Sequence, residues 1–188
     1  MFRDAATLVV GNNDLVVEAA RDEAARRGWR PLVLTRRLQG EAREVARVMG
    51  SMVRQATITG EPVSRPGCLL AAGETTVTVR GPGKGGRCQE LALALVAELA
   101  GLPDVVALAA GTDGSDGPTD AAGAVVDGDS LARARATGLD PEVALAANDA
   151  YPFFDRLGDL VVTGSTGTNL LDLYLALLGP VPLEEAVR

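Results

Sequence analysis

The segment AAGETTVTVRGPGKGGRCQE, residues 71–90, predicts a strand, a glycine-rich loop and the start of a helix in direct succession. The run Thr75–Val79 is β-branched throughout, as is typical of a partly buried strand. The run Leu91–Ala100 consists of strong helix formers and predicts a buried helix. Between them, a backbone with few β-carbons exposes its N–H groups, and a helix N-terminus favours negative charge. We therefore expect this loop to bind a phosphate or a carboxylate.

The glycines of this loop also allow other interpretations. Gly81, Gly83 and Gly86 satisfy the spacing G-x-G-x-x-G, which raises a dinucleotide-binding hypothesis. The acidic residue that such a site needs after the next strand does not fit, because the nearest candidate, Asp113, lies too far along the chain. The Walker spacing fails, since Lys84, the only lysine of the chain, is followed by another glycine. A tight turn without a ligand is the remaining alternative.

The composition restricts the class of protein. With 188 residues and 47% hydrophobic content, the chain is long enough for one α/β domain or slightly more. A net charge of −7 argues against nucleic acid or an anionic membrane as partner. Histidine is absent, so acid–base and metal-binding roles fall to other side chains. Cys68 and Cys88 form neither a metal motif nor a disulfide framework, and no export signal or membrane span is evident, so we expect a cytoplasmic protein.

Predicted strands and helices alternate along the chain. The order β-α-β-α over residues 1–60 implies parallel pairing with right-handed crossovers; the strands are Ala6–Val10 and Pro31–Thr35, and the helices Leu15–Arg27 and Gly40–Gln55. Two prolines within residues 59–66 predict a surface connection or a boundary before a second part, residues 67–188.

The second part is predicted to make the sheet mixed. Cys68–Ala72 and Thr75–Arg80 are separated by two residues and predict a hairpin. The other predicted elements are strands at Val105–Ala110 and Leu160–Thr163, and helices at Ser130–Ala136 and from Asp140 to near Asn148. The leucine-rich run Leu170–Leu178 suits either a strand or a helix, and we favour a strand because a buried sheet edge needs closing. We expect an α/β fold: a layered helix-sheet-helix domain with a mixed, mostly parallel sheet.

Two further loops carry polar side chains. Residues 111–127, GTDGSDGPTDAAGAVVD, follow a predicted strand at the position where open α/β sheets bind ligands. Asp113, Asp116 and Asp120 offer oxygen ligands suited to Mg²⁺, although these side chains could instead cap their own turns. The second loop, Thr163–Asn169, could surround an anion with backbone and hydroxyl groups. The pair Phe153 and Phe154 is predicted to belong to the core rather than to a base-stacking platform.

Four ordered blocks of sequence resemble the glycerate 2-kinase family, whose C-terminal region is called the MOFRL domain. The blocks are GETTVTVRGPGKGGRCQELALAL, GTDGSDGPTDAAGAVVDG, NDAYPFF and LGDLVVTGSTGTN. Upstream, GNNDLVVEAA and LQGEAREVA resemble the segment that precedes this domain in the family. The family's proteins are much longer, so the resemblance implies a C-terminal portion that lacks the N-terminal half. Some members carry the label hydroxypyruvate reductase.

The resemblance implies an ATP-dependent transfer of phosphoryl to the 2-hydroxyl of D-glycerate, giving 2-phosphoglycerate, in a cleft between two α/β domains. ATP and Mg²⁺ are the implied cofactors, glycerate the substrate, and the absent N-terminal domain a partner. We expect no activity from this chain alone, and a homodimer is possible through an apolar face left by the missing domain. A part of an NAD(P)-dependent reductase of hydroxypyruvate, or a stand-alone ligand-binding domain, is the alternative.

The resemblance also assigns roles to particular residues. Arg87 is expected to clamp the glycerate carboxylate or the transferring phosphoryl group, with Glu74 and Glu90 orienting it. Asp113 and Asp116 are expected to hold Mg²⁺ or to accept the hydroxyl proton, with Asp120 as a further metal ligand. The expected phosphate- or substrate-binding residues are Gly83, Lys84, Gly85, Gly86, Glu90, Thr166, Gly167, Thr168 and Asn169. Cys88 departs from the family pattern, which has an asparagine there.

Overall fold

The computed structural model describes residues 6, 8 and 10–179. The predicted first strand, Ala6–Val10, therefore falls partly outside the described residues. The elements within them are α1 (Asn13–Arg26), β1 (Arg30–Leu38), α2 (Ala42–Thr59), β2 (Gly67–Gly73), α3 (Arg87–Leu99), β3 (Val105–Gly111), β4 (Gly123–Asp127), α4 (Ser130–Ala136), α5 (Pro141–Ala147), α6 (Ala150–Leu157), β5 (Leu160–Val161) and β6 (Asp172–Leu178). None of these helices is long and apolar enough to cross a lipid bilayer.

The strands form a single six-stranded sheet in the order β1-β2-β6-β3-β4-β5. The predicted mixed α/β sheet is confirmed, but the strand pairing is mainly antiparallel. Among the strands of the described residues, only β1 and β2 pair in parallel, because β6, the last of these strands, inserts between β2 and β3 in the opposite direction. Four of the six strands nevertheless point the same way: β1, β2, β3 and β5. The expectation of a mostly parallel sheet therefore holds for the directions of the strands, but it is wrong for the pairing of neighbouring strands.

The predicted hairpin after β2 is wrong. Its second strand, Thr75–Arg80, leaves the sheet and makes one isolated bridge, between Thr76 and Glu41 at the start of α2. The reason is competition for the edges of β2, which β1 occupies on one side and β6 on the other. The β-branched run is thus extended, as its composition predicts, but it lies beside α2 and not in the sheet.

Two elements were not expected from the sequence. Strand β4 lies within the aspartate-rich stretch that was interpreted as one loop, and helix α6 contains the aromatic residues of the NDAYPFF block together with Pro152 in its first turn. Proline is compatible with a first helical turn because the N–H it lacks would have no partner there. The division of the chain at residues 60–67 stays a prediction; it coincides with the connection between α2 and β2.

Helices cover both faces of the sheet, as predicted. The main core lies between the sheet and the pair α2 and α3, and it includes Phe153 and Phe154, whose rings meet edge to face at 5.3 Å. The prediction that these two rings belong to the core is confirmed. On the other face, Ala24 and Trp29 at the end of α1 pack on Cys68 of β2.

The site is positioned by one row of residues across three strands. Asp172, the first residue of β6, is in register with Gly73 at the end of β2 and with Gly111 at the end of β3. Because β2 and β3 point the same way, the loops that follow them emerge at the same edge as the loop that precedes β6. These are the three loops that the sequence analysis singled out.

Candidate functional site

An arginine and a fully buried aspartate form the centre of this edge. Arg87, the first residue of α3, donates from Nε and Nη2 to the two carboxylate oxygens of Asp172, at 2.6 and 2.7 Å. Asp172 is 0% exposed and also accepts a hydrogen bond from the Tyr174 hydroxyl at 2.9 Å. The hydrogen bonds with Asp172 raise the pKa of Arg87, which therefore stays charged. Asp172, which the sequence analysis did not name as a partner, holds this guanidinium most closely, and of the predicted pair only Glu74 forms an ion pair with it.

Arg87 still has donors that Asp172 does not use. Its guanidinium carries five N–H groups, and the side chain is 26% exposed. It lines a cavity of about 550 Å³ together with Gly85, Gly86 and, at 3.6 Å from Nη2, Glu74. Within the described part of the chain, no group accepts a hydrogen bond from the backbone N–H of Gly85, Gly86 or Arg87. The cavity therefore presents a fixed cation beside three unpaired amides, an arrangement suited to an anion.

The next two amides of α3 are already occupied. The N–H groups of Cys88 and Gln89 donate to the carboxylate of Asp116, at 3.1 and 2.8 Å. Asp116 is 1% exposed, and this burial outweighs the two amide hydrogen bonds and raises the pKa of Asp116 to about 6. Asp116 thus caps α3 from a distant loop, because the N-cap residue, Gly86, has no side chain.

Close packing explains several glycines of the loop. A β-carbon on Gly81 or Gly83 would lie 2.4 or 2.5 Å from the carbonyl oxygen of Ala147, and one on Gly86 would lie 2.3 Å from the Asp116 carboxylate. These contacts are with the protein itself. The G-x-G-x-x-G spacing therefore has a packing explanation that requires no dinucleotide.

Two further charged residues of this region pair with groups other than Arg87, although Glu90 lines the same cavity. Glu90 is buried and bonded to Arg43 and Asn148, so the expectation that it orients Arg87 is wrong. Lys84 is not among the residues that line the cavity; its Nζ lies 4.2 Å from the centre of the Tyr151 ring. The lysine therefore makes a cation–π contact with Tyr151, and its predicted contact with a ligand stays a prediction.

The three aspartates of the second loop are not brought together. Asp116 caps α3, and Asp120 accepts a hydrogen bond from the Tyr151 hydroxyl at 2.8 Å, which lowers the pKa of Asp120. Asp113 accepts from the Ser115 N–H within its own turn. No group of three or more Asp, Glu, Cys or His side chains in the described residues could hold a metal ion. The predicted three-carboxylate metal site is therefore wrong as a group.

Asp113 also lies close to the Arg87–Asp172 pair. A β-carbon placed on Gly111 would be 3.1 Å from Oδ1 of Asp113 and 3.6 Å from Oδ1 of Asp172. Asp113 is partly exposed, whereas Asp172 is fully buried. Of the predicted metal ligands, Asp113 is thus the one beside the central pair with a carboxylate that solvent can reach.

The third loop lies against the second. The Thr166 hydroxyl donates to the Thr112 carbonyl at 2.6 Å, and Asn169 Nδ2 reaches Asp113 Oδ2 at 3.5 Å. Gly167 and Thr168 belong to the same exposed turn. These four residues are close to Asp113 but do not line the cavity beside Arg87.

The residues that hold the site were largely missed at the level of sequence. Asp172 stands alone in the apolar run NLLDLYLALL, and a single acid in a buried strand requires a cationic partner. That signal was available, and Arg87 was a candidate partner. Arg43 and Asn148 had no comparable signal, because their partners lie 47 and 58 residues away from them along the chain.

Comparison with known proteins gives consistent matches. Residues 67–172 match the family model described as MOFRL family. The chain is 41% identical over 170 residues to a D-glycerate 2-kinase of Thermotoga maritima, covering 90% of this chain and 41% of the relative. It is 44% identical over 173 residues to a putative hydroxypyruvate reductase of Agrobacterium vitis, covering 91% of this chain and 40% of the relative.

Two solved structures have the same fold as this chain. A crystal structure of glycerate kinase from Thermotoga maritima superposes with a TM-score of 0.90 at 41% identity, covering 92% of this chain and 42% of that one. A protein of Pyrococcus horikoshii OT3 superposes with a TM-score of 0.88 at 36% identity, covering 94% and 41%. The chain thus spans about two fifths of the length of these proteins.

Proposed function

The chain belongs to the MOFRL family, and we propose that it forms one wall of the active-site cleft of an ATP-dependent glycerate 2-kinase. The reaction is transfer of the γ-phosphoryl group of ATP to the 2-hydroxyl of D-glycerate, giving 2-phosphoglycerate. The observation that carries the proposal is the Arg87 guanidinium, held by buried Asp172 beside the free amides of Gly85 and Gly86. Glycerate, ATP and both products are anions, so the substrate class fits this cavity.

Arg87 has the main role in this proposal. It binds the glycerate carboxylate or the transferring phosphoryl group, and Asp172 fixes the direction of its remaining donors. Phosphoryl transfer depends mainly on positioning and on neutralising the charge of the transferred group. Asp113 is proposed to accept the proton of the 2-hydroxyl group, because its carboxylate lies near the central pair and solvent can reach it.

ATP and Mg²⁺ belong to the proposal as the usual donor and metal of kinases. Mg²⁺ keeps several waters and takes the phosphates of its nucleotide as ligands, so it needs few protein carboxylates. The described carboxylates do not fit a metal centre of their own. No step of the proposed mechanism is therefore derived through the metal.

The rest of the cleft is proposed to come from a portion equivalent to the N-terminal part of the longer relatives. The chain aligns with 41% of the Thermotoga maritima kinase, and the cavity beside Arg87 is open to solvent. A homodimer is the alternative partner; exposed Val48 and Met52 on α2 belong to an apolar groove beside β1 that would suit one. A cytoplasmic location completes the proposal.

A reductase of hydroxypyruvate is the second candidate, favoured by the name of the Agrobacterium vitis relative. The contacts of Gly81 and Gly83 with Ala147 weigh against it, since the same glycines would have to approach the pyrophosphate of a dinucleotide. The candidates differ in the nucleotide that they bind. Protection of the chain against heating by NADH but not by ATP would favour the reductase.

A chimera tests the proposal directly. The matching C-terminal part of the Thermotoga maritima kinase is replaced by this chain, and ATP-dependent formation of 2-phosphoglycerate from D-glycerate is measured. We expect activity in the chimera, and a loss of about a hundredfold or more in the same chimera with Arg87→Ala. A folded chimera that oxidises NADH with hydroxypyruvate and does not consume ATP would overturn the kinase proposal.

A further inference from the structure

A buried polar network borders the cavity beside the glycine loop, and two of its members, Glu90 and Asn148, are among the residues that line this cavity. Glu90 on α3 is 3% exposed, and its Oε1 pairs with Arg43 of α2, at 2.9 Å from Nε and 2.8 Å from Nη2. Its other oxygen accepts a hydrogen bond from Asn148 Nδ2 at 2.8 Å. Arg43 also donates to the Leu145 carbonyl at 3.1 Å. The network therefore joins α2 and α3 to the end of α5.

Asn148 connects this network to the loop. Its Oδ1 accepts hydrogen bonds from the backbone N–H groups of Arg80 and Gly81, at 2.7 and 3.0 Å. Its backbone is in the left-handed region, with φ 54°, which asparagine adopts more readily than most residues. One side chain thus binds Glu90 through its nitrogen and the loop through its oxygen.

The next residues of the loop are bound to the same segment. The N–H of Gly83 donates to the Ala147 carbonyl at 2.9 Å, and the N–H of Lys84 donates to Asp149 at 2.8 Å. The Lys84 carbonyl accepts from the N–H of Tyr151 at 2.8 Å. Residues 80–84 are therefore attached along residues 147–151, immediately before the free amides of the cavity.

We propose that Arg43, Glu90 and Asn148 are positioning residues that set the place of the free Gly85 and Gly86 amides relative to Arg87. Buried ion pairs contribute little net stability compared with apolar residues of similar volume, but they fix geometry. Here the geometry that they fix is that of the loop beside the cavity. The inference goes beyond the proposed function, because it applies to any anion that the cavity takes.

Amide hydrogen exchange of the full chain tests this inference. Asn148→Gly removes the side chain and keeps the left-handed backbone. The reporters are the amides of Gly83 and Lys84, whose own acceptors the substitution leaves in place. We expect both to exchange about tenfold faster or more, as for the loss of one or two charge-assisted hydrogen bonds, while amides of β3 keep their protection.

Glu90→Gln provides a second variant, at a side chain whose hydrogen bonds go to Arg43 and Asn148 and not to the loop itself. It removes the charge that Arg43 requires and leaves one acceptor oxygen where Arg43 and Asn148 had two, so the same two amides should again exchange faster. Arg133→Ala is the matched control, since it removes an ion pair with Asp159 outside the site and should leave Gly83 and Lys84 unchanged. Wild-type exchange at both reporters in both site variants would overturn the inference.

Titration with inorganic phosphate separates positioning from general stabilisation. Both site variants should bind phosphate about tenfold more weakly than the Arg133→Ala protein, even where the three melt at similar temperatures. Unchanged phosphate affinity in the site variants would contradict a positioning role. Failure of the wild-type chain to bind phosphate would count against the proposed function, whereas the exchange experiment would still decide this inference.

Discussion

At the scale of single residues, Arg87 and Asp172 depend on each other unequally. Asp172 is fully buried and has no access to water, whereas Arg87 is partly exposed and could be hydrated without its partner. A buried carboxylate without a cation is strongly unfavourable. The pair therefore stabilises the fold, and it also holds the positively charged guanidinium of Arg87 at the cavity.

Asp172→Asn tests the stabilising part of this pair. The substitution keeps the shape of the side chain and removes its charge, so we expect the free energy of unfolding to fall by about 2–3 kcal/mol. Urea unfolding measures it. Asp113→Asn is the control, because a partly exposed aspartate in a turn should change stability by about 0.5 kcal/mol or less. Equal stability of the two variants would contradict the assignment.

Asp116 should make stability depend on pH in an unusual direction. Its pKa is raised to about 6 in the folded chain, against about 3.9 when unfolded, so the folded state binds the proton more tightly. The resulting stabilisation is present below about pH 4 and is lost as the pH rises through about 6. The free energy of unfolding of wild type should fall between pH 4 and 7 through this group, and that of Asp116→Asn should not. The difference between the variant and wild type should therefore shift in favour of the variant by about 2 kcal/mol over this range. A pH-independent difference would refute this expectation.

At the scale of elements, the sequence was a good guide where a segment's pattern agreed with its surroundings. Strand β3, helix α4 and strand β6 were predicted close to their observed bounds because apolar runs and capping residues define them locally. The start of α3 at Arg87 was missed because its cap, Asp116, comes from a distant loop. The hairpin failed because the insertion of β6 beside β2 is a long-range event that residues 74–80 do not encode.

The residues of the cavity were likewise predicted from sequence only where the signal was local. The glycine loop and Arg87 were identified from sequence because their chemistry is local. The partners that organise them were not, since Asp172, Asn148 and Arg43 meet the loop only through the fold. The aspartate-rich loop gave a misleading signal, because three carboxylates close in sequence point to three different partners.

Alanine substitutions of two neighbouring glycines should show how closely the chain packs at the start of α3. A β-carbon on Gly86 would lie 2.3 Å from the Asp116 carboxylate, whereas one on Gly85 would lie 3.2 Å from the Ala150 β-carbon. Gly86→Ala should therefore destabilise the chain by about 2–3 kcal/mol, and Gly85→Ala by about 1 kcal/mol or less. Thermal unfolding ranks the two. The reverse order would mean that Asp116 does not cap α3 closely.

At the scale of the whole molecule, the described residues form one sheet with helices packed on both faces, and the anion cavity at its edge is open to solvent. The chain aligns with only 41% of the related kinase, and in our proposal an equivalent of the remaining part supplies the rest of the cleft. Binding and turnover should therefore separate. One wall can hold an anion, but in-line transfer requires donor and acceptor to be held together.

The purified chain is thus expected to bind D-glycerate without phosphorylating it. A tenfold excess of ligand over its dissociation constant stabilises a protein by about 1.4 kcal/mol, which corresponds to a rise of about 4 °C in Tm for a domain of this size. Arg87→Ala should abolish the shift, while Arg133→Ala should retain it because that residue lies outside the site. Measurable formation of 2-phosphoglycerate by the pure chain would show that its cleft is complete, and an equal shift in the Arg87→Ala protein would remove Arg87 from the ligand site.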